Sequence, residues 1–239
     1  VRCSGVKPCG VVIVEDATRH RPRKGHVQIQ ALEDIANRPI VEHVIDALEL
    51  AGVDEVIVAS SVAPSAEIRE SLGAREKRSG SAIRYVQQEA PLELRDAFRL
   101  AAPVVGDRPC IVHLATGLLD EPLAPLADRP WDGPDVVLIA HQALSPDDHL
   151  SLATQRMLHL AEFTPDHALG MAGVWLLGPR ALPLLAASRS RLGGDVDLTL
   201  LGDQIDHAGG MFDVKIVENW CQYRGNPLDL LELNRIALD

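Results

Sequence analysis

Gly10-Val11-Val12-Ile13-Val14-Glu15-Asp16-Ala17-Thr18-Arg19-His20-Arg21-Pro22 decides the fold. Val11–Val14 is an apolar, β-branched run, long enough for a buried strand and too short for a helix. It breaks into a loop with two carboxylates, Glu15 and Asp16, and then turns basic at Arg19, Arg21, Arg23 and Lys24. In an open α/β sheet the loop that leaves the first strand is where ligands sit. Such loops usually carry glycines, because a backbone without Cβ lets N–H groups approach phosphate oxygens closely. This loop offers Val14-Glu15-Asp16 instead.

Outward from this stretch the chain alternates strand and helix. Pro39 opens a helix in its first turn, and Val41, Val44, Ile45 and Leu48 fall on one apolar stripe. Gly52 ends it, and Val53–Ala59 reads as the next buried strand. Strand, helix and strand at this spacing predict a right-handed βαβ unit and a parallel sheet. Further helices are expected over Ser61–Arg75, with Ile68 and Leu72 inward, and over Glu93–Ala102, with Leu94, Ala97, Phe98 and Ala101 on one face. Strands are expected at Ile83–Val86, within Pro109–Gly117 (the central strand with its C-terminal loop), at Val136–Ala140 and at Phe212–Val217. Trp220–Asn226 reads as a loop, and Pro227–Leu238 as a terminal helix that packs Leu228, Leu231 and Leu238 inward.

These segments resemble the sugar-1-phosphate nucleotidyltransferases (nucleoside-diphosphate-sugar pyrophosphorylases). Ala17-Thr18-Arg19 stands where that family has Gly-Thr-Arg, and Pro22 and Ala36-Asn37-Arg38-Pro39-Ile40 match its following segments. Gln88 and Pro91-Leu92 match its base-binding Gln and Pro-Leu. Gly170–Pro179 matches its Asn-Ala-Gly-strand-Pro element, and Gly225-Asn226-Pro227-x-Asp229-Leu230-Leu231-x-x-Asn234-Arg235 its closing motif. The resemblance implies nucleotide contacts at Arg19 and Gln88 and sugar contacts at Glu162 and Gly173. Gly173 either lets the backbone lie against a sugar or marks a bulge in a strand. The family's chemistry, however, falls on other residue types. Its two loop glycines fall on Val14 and Glu15, its lysine on Gln30, and its two Mg²⁺-binding aspartates on Thr116 and Tyr223. A hydroxyl is a weak, neutral ligand for a hard dication that prefers carboxylates. Asp16, Asp120 or Asp132 would have to supply displaced ligands.

The net charge of −11 argues against a nucleic-acid surface, which needs clustered Lys and Arg. The four cysteines make no CxxC pair, so neither a zinc site nor a disulfide framework is signalled. No HExxH or Gly-x-Ser-x-Gly pattern is present, and His113, in mid-strand, reads as a satisfied core residue. No run of 18 apolar residues marks a membrane span, and the first residues lack a signal-peptide apolar core, so a cytoplasmic location is expected.

The expected fold is α/β: a single three-layer α/β/α domain, Rossmann-like, with a mixed, mostly parallel sheet over residues 1–239. Its nucleotide-side half covers about 10–120 and its sugar-side half about 121–239. The expected function is that of a catalytically degenerate member of the family. It needs no cofactor, holds a sugar nucleotide or sugar phosphate, and docks on an active paralogue or on itself. The alternatives are an active, Mg²⁺-dependent nucleotidyltransferase with a rebuilt site, and an interaction module with a closed pocket.

Overall fold

The computed structural model describes residues 7–15, 29–76, 81–89, 92, 94–128, 133–142, 169–187 and 198–239. Its centre is the first expected strand. β1 (Cys9–Ile13) is buried at every position and lies between β4 (Glu55–Ser61) and β6 (Cys110–Leu114), parallel to both. The chain runs outward through α1 (Ile40–Leu50), β4, α2 (Val62–Glu76) and β5 (Ala82–Gln88). It then crosses through α3 (Leu94–Val105) to β6 on the other side of β1. β8 (Val136–Gln142), β9 (Leu169–Leu177) and β10 (Phe212–Val217) complete a seven-stranded sheet in the order β10-β8-β9-β6-β1-β4-β5. β9 pairs antiparallel with both β6 and β8, so the sheet is mixed and mostly parallel. The strand order reverses at β1, and its crevice with β6 is the place where such sheets hold ligands.

Both faces of the sheet are covered, which explains why the strands read as unbroken apolar runs. Alternate residues point to opposite sides. Val12, Val56 and Val58 pack against α1, with Ile68 and Leu72 of α2 and with Leu233 of α7 (Pro227–Leu238). Val11, Ile13, Ile57 and Ala59 pack against α3 and α5 (Ala181–Ala187), with Ile205 of α6 (Leu198–His207) in the same cluster. Phe98 and Trp175 meet edge to face, with centroids 5.4 Å apart.

Two smaller ribbons flank the sheet. β2 (Asp34–Ile35) and β3 (Arg38–Pro39) form a hairpin whose turn, Ala36-Asn37, is left-handed at both residues (φ 46° and 64°). An alanine there is strained, and Asn234 holds it: its Oδ1 accepts from the Ala36 N–H at 2.8 Å. The second ribbon joins β7 (Gly117–Leu119) to β11 (Trp220–Gln222). A short helix, α4 (Leu123–Ala127), follows β7.

Two sequence expectations need correction. Trp220–Gln222 is a strand rather than part of a loop, stabilised by pairing with β7 that no local pattern announces. In α7, Leu228, Leu231 and Leu238 are exposed (68%, 67% and 74%), whereas Leu233 is fully buried. Helical periodicity groups the leucines onto faces but does not say which face the neighbours cover.

Candidate functional site

β6 ends at Leu114, and the turn Ala115-Thr116 carries the chain into β7. The Ala115 N–H donates to the Ile13 carbonyl at 2.8 Å, so this turn sits directly beside the carboxyl end of β1. β11 comes alongside in the register Trp220–Leu119, Cys221–Leu118 and Gln222–Gly117. The next pair along this ladder is Tyr223 with Thr116, and the Tyr223 N–H donates to the Thr116 carbonyl at 2.8 Å. Positions more than a hundred residues apart, each distinguished in the sequence by its own motif, therefore meet on one ribbon. Both are buried: Thr116 is 3% exposed and Tyr223 is 7% exposed.

The ribbon is close-packed because Gly117 lacks a side chain. A Cβ there would overlap the Trp220 ring and fall 2.9 Å from the Cys221 carbonyl oxygen. Gln222, which no sequence motif singles out, supplies a side-chain bond: its Nε2 donates to the Thr116 Oγ1 at 3.1 Å. Its one sequence signal is adjacency to Tyr223. Gln30, in a 3-10 turn over Gln30–Leu32, reaches the same neighbourhood. Its Nε2 lies 3.7 Å from where a Cβ on Gly225 would stand.

The remaining predicted residues are placed as follows. Gln88 is the last residue of β5, half-buried and paired with Ser61, at the carboxyl edge of the sheet and three strands from β6. Gly173 lies in β9 where the register with β8 shifts between Leu138 and Ala140, so it marks an irregularity. A Cβ on Gly173 would come within 2.6 Å of the Leu114 side chain, so this glycine is needed for close packing against the end of β6. Arg19 and Glu162 lie outside the described residues, as do Asp16 and Asp132. The third substitute carboxylate, Asp120, is engaged elsewhere: it accepts from Arg235 at 2.8 Å.

The donor set at the ribbon does not fit Mg²⁺. The Thr116 hydroxyl is neutral and already accepts an amide N–H, whose positive end opposes a cation. Burial pushes the Tyr223 phenol above its ordinary pKa, and Glu33 and Asp229 add to the rise, so it also stays neutral. The Asp229 carboxylate accepts from the Arg224 N–H at 3.0 Å. Cys221, on the same ribbon, is no activated nucleophile. Burial, with Asp229 and Glu232 nearby, raises its thiol to about 11, away from the thiolate that reacts.

His113 underlies the ribbon, 1% exposed, with its ring 5.6 Å from that of Trp220. Its Nδ1 is 2.8 Å from the Leu114 carbonyl and donates to it, which makes it the satisfied core residue expected. Burial lowers its pKa to about 4, and His43 is lowered in the same direction. Between about pH 6.5 and 4 the unfolded chain therefore binds the proton that the folded chain refuses. Stability falls as pH falls through this window, by about 3 kcal/mol in total for His113. Unfolding midpoints measured from pH 7.5 to 4 should slope less steeply in His113→Phe than in the wild type.

A seven-stranded sheet with one antiparallel strand, a reversal at β1 and its candidate site at the β1–β6 edge define a nucleotide-diphospho-sugar transferase-like fold. In sequence the chain is similar to sugar-1-phosphate nucleotidyltransferases, and in fold it is similar to a solved structure described as one. It is 24% identical over 221 residues to the low-salt glycan biosynthesis nucleotidyltransferase Agl11 of Haloferax volcanii, covering 90% of this chain and 61% of that protein. It is also 24% identical to a glucose-1-phosphate thymidylyltransferase of Streptomyces griseus, covering 93% and 63% respectively. A crystal structure from Bacillus anthracis, described as a glucose-1-phosphate thymidylyltransferase with sucrose bound, superposes with a TM-score of 0.72. It is 13% identical, and the match covers 97% of this chain and 95% of that one. The chain thus spans about three-fifths of the length of these two curated relatives. No protein-family profile matches it. Among the described residues, no helix is long and apolar enough to cross a membrane.

Proposed function

We propose that this chain is a cytoplasmic, non-catalytic nucleotidyltransferase-fold protein that holds a sugar nucleotide or sugar phosphate and regulates or supports an active paralogue. The supporting observation is the meeting of Thr116 and Tyr223 through a 2.8 Å backbone bond, with Gln30 beside Gly225. In the family, two carboxylates and a lysine stand at these three positions. That reaction sets a sugar phosphate oxygen against the α-phosphorus of a nucleoside triphosphate and releases pyrophosphate. Its rate depends on positioning and on neutralising phosphate charge. A threonine, a tyrosine and a glutamine position a ligand by hydrogen bonds but neutralise nothing.

On this reading the ligand lies over the carboxyl ends of β1 and β6. Gln88 offers amide bonds to a base, Arg19 a charge to a phosphate, and Glu162 a contact to a sugar. The second reading, an active enzyme with displaced carboxylates, is favoured by the names of the relatives, which are nucleotidyltransferases. Pyrophosphate exchange separates the two. Labelled pyrophosphate should enter no nucleoside triphosphate from any of a panel of nucleoside-diphosphate sugars, with or without Mg²⁺. Mg²⁺-dependent exchange would establish the active enzyme.

A further inference from the structure

We propose that Arg95, in the first turn of α3, is a phosphate-binding residue of the crevice at the carboxyl ends of β1 and β6. This rests on the reading that the crevice holds a sugar nucleotide or sugar phosphate, and it names a residue that takes the phosphate charge.

The Arg95 Nε is buried without a hydrogen-bond partner, and Arg95 pairs with no carboxylate among the described residues. Its neighbour Asp96 holds Arg99 instead, at 3.8 Å. The Arg75 Nε is also orphaned, but the two terminal nitrogens of that guanidinium hold Asp46 and Glu49. Arg38, Arg84, Arg108 and Arg235 each hold a carboxylate as well. In a chain of net charge −11, a half-buried arginine without a carboxylate stands out. A buried donor on a charged group costs free energy while unpaired, and a bound anion would offset that cost.

The place of Arg95 says where the anion lies. α3 follows β5, so it begins at the carboxyl edge of the sheet, and it packs across β4, β1 and β5. By helical spacing Arg95 shares a flank with Phe98 and Arg99. Phe98 meets Trp175 of β9, and the Arg99 Nε donates to the Ala186 carbonyl of α5 at 3.2 Å. β9 pairs with β6, so this flank is turned away from β5 and toward β6. Arg95 stands one turn nearer the carboxyl edge than either residue, and helical side chains lean toward the helix N-terminus. Its guanidinium is thereby directed to the edge where β1 and β6 end. A planar fork of N–H donors matches phosphate oxygens in pairs, which suits it to a phosphate group there.

The test is titration calorimetry of the full chain in EDTA, with inorganic pyrophosphate and with a panel of nucleoside-diphosphate sugars. Thermal unfolding of each variant without ligand accompanies it. Arg95→Met keeps the side-chain length and removes the charge and the orphaned N–H. It should weaken binding of both probes by about 10–100-fold. Its ligand-free midpoint should be unchanged or higher, because nothing in the free protein pairs with the charge. Arg95→Lys should recover part of the affinity. Arg84→Gln removes the same unit of charge from a side chain that is 65% exposed and paired with Glu55, and it should bind as the wild type does. A lower midpoint in Arg95→Met with unchanged affinity would make Arg95 a structural residue and overturn the proposal. Equal weakening in Arg84→Gln would reduce the effect to net charge and overturn it too. Pyrophosphate bound through Arg95, with no sugar nucleotide bound, would support the anion site and overturn the sugar-nucleotide reading. A sugar nucleotide that binds Arg95→Met as tightly as the wild type would leave that reading standing and overturn this proposal. Binding of neither probe to the wild type would overturn both.

Discussion

Gly117→Ala should lower the unfolding midpoint by about 5–10 °C, from an overpacking cost of about 2–3 kcal/mol. The added methyl would overlap the Trp220 ring and stand 2.9 Å from the Cys221 carbonyl oxygen. The ring has little room to yield, since Trp220 is 5% exposed and lies against His113. Nor does the carbonyl, because Cys221 is paired with Leu118 in the ribbon. The strain is therefore delivered to the β7–β11 ribbon that joins Thr116 to Tyr223, so ligand binding should weaken along with stability. Gly73 provides the contrast. It lies inside α2 with nothing within 4 Å of an added Cβ. Gly73→Ala should raise stability by about 0.5–1 kcal/mol through helix propensity alone. Both variants are compared with the wild type by scanning calorimetry.

Arg75→Met should cost about 2–3 kcal/mol, again about 5–10 °C. Arg75 is 9% exposed in its side chain and pairs with Asp46 at 2.6 Å and Glu49 at 2.8 Å, both on α1. This cation ties α2 to α1, which forms part of the cover of the β1 face. Its loss leaves two carboxylates in a partly buried place. They are not wholly abandoned, because Arg38 holds Asp46 at 2.7 Å and the Ser81 hydroxyl donates to Glu49. That residual pairing keeps the cost below that of a fully stranded buried charge. Arg75→Lys should recover only part of it, since one ammonium cannot match the planar fork that reaches both acids. Adding Glu49→Gln to Arg75→Met should restore some of the loss, which denaturant titration of the single and double variants would read.

The sheet is largely legible in the chain. Val11–Val14, Val53–Ala59 and the run at Cys110–Leu114 supply strands buried on both faces, and such strands advertise themselves as unbroken apolar runs. The α1 stripe is equally plain, with Val41, Val44, Ile45 and Leu48 all fully buried. What escapes a sequence reading depends on contacts between distant segments. β11 is three residues long and is stabilised by pairing with β7, so no local periodicity marks it. The leucines of α7 show the same limit: spacing sorts them into faces, and the cover over Leu233 decides which face goes inside.

The site divides in the same way. Counting along motifs puts Thr116 and Tyr223 in related positions, and the ribbon joins them. The Gln222 bond is invisible beforehand, since a side chain's reach across a ribbon leaves no pattern in the sequence. Asn234 and Arg235 illustrate a motif whose role here is structural. Asn234 holds the Ala36-Asn37 turn, and Arg235 ties α7 to Asp120.

The central claim, a ligand site that works without metal, is tested most directly by titration calorimetry with nucleoside triphosphates and nucleoside-diphosphate sugars, each with and without Mg²⁺. A nucleoside-diphosphate sugar should bind with the same affinity in Mg²⁺ and in EDTA. A nucleoside triphosphate whose binding strengthens with Mg²⁺ would contradict it.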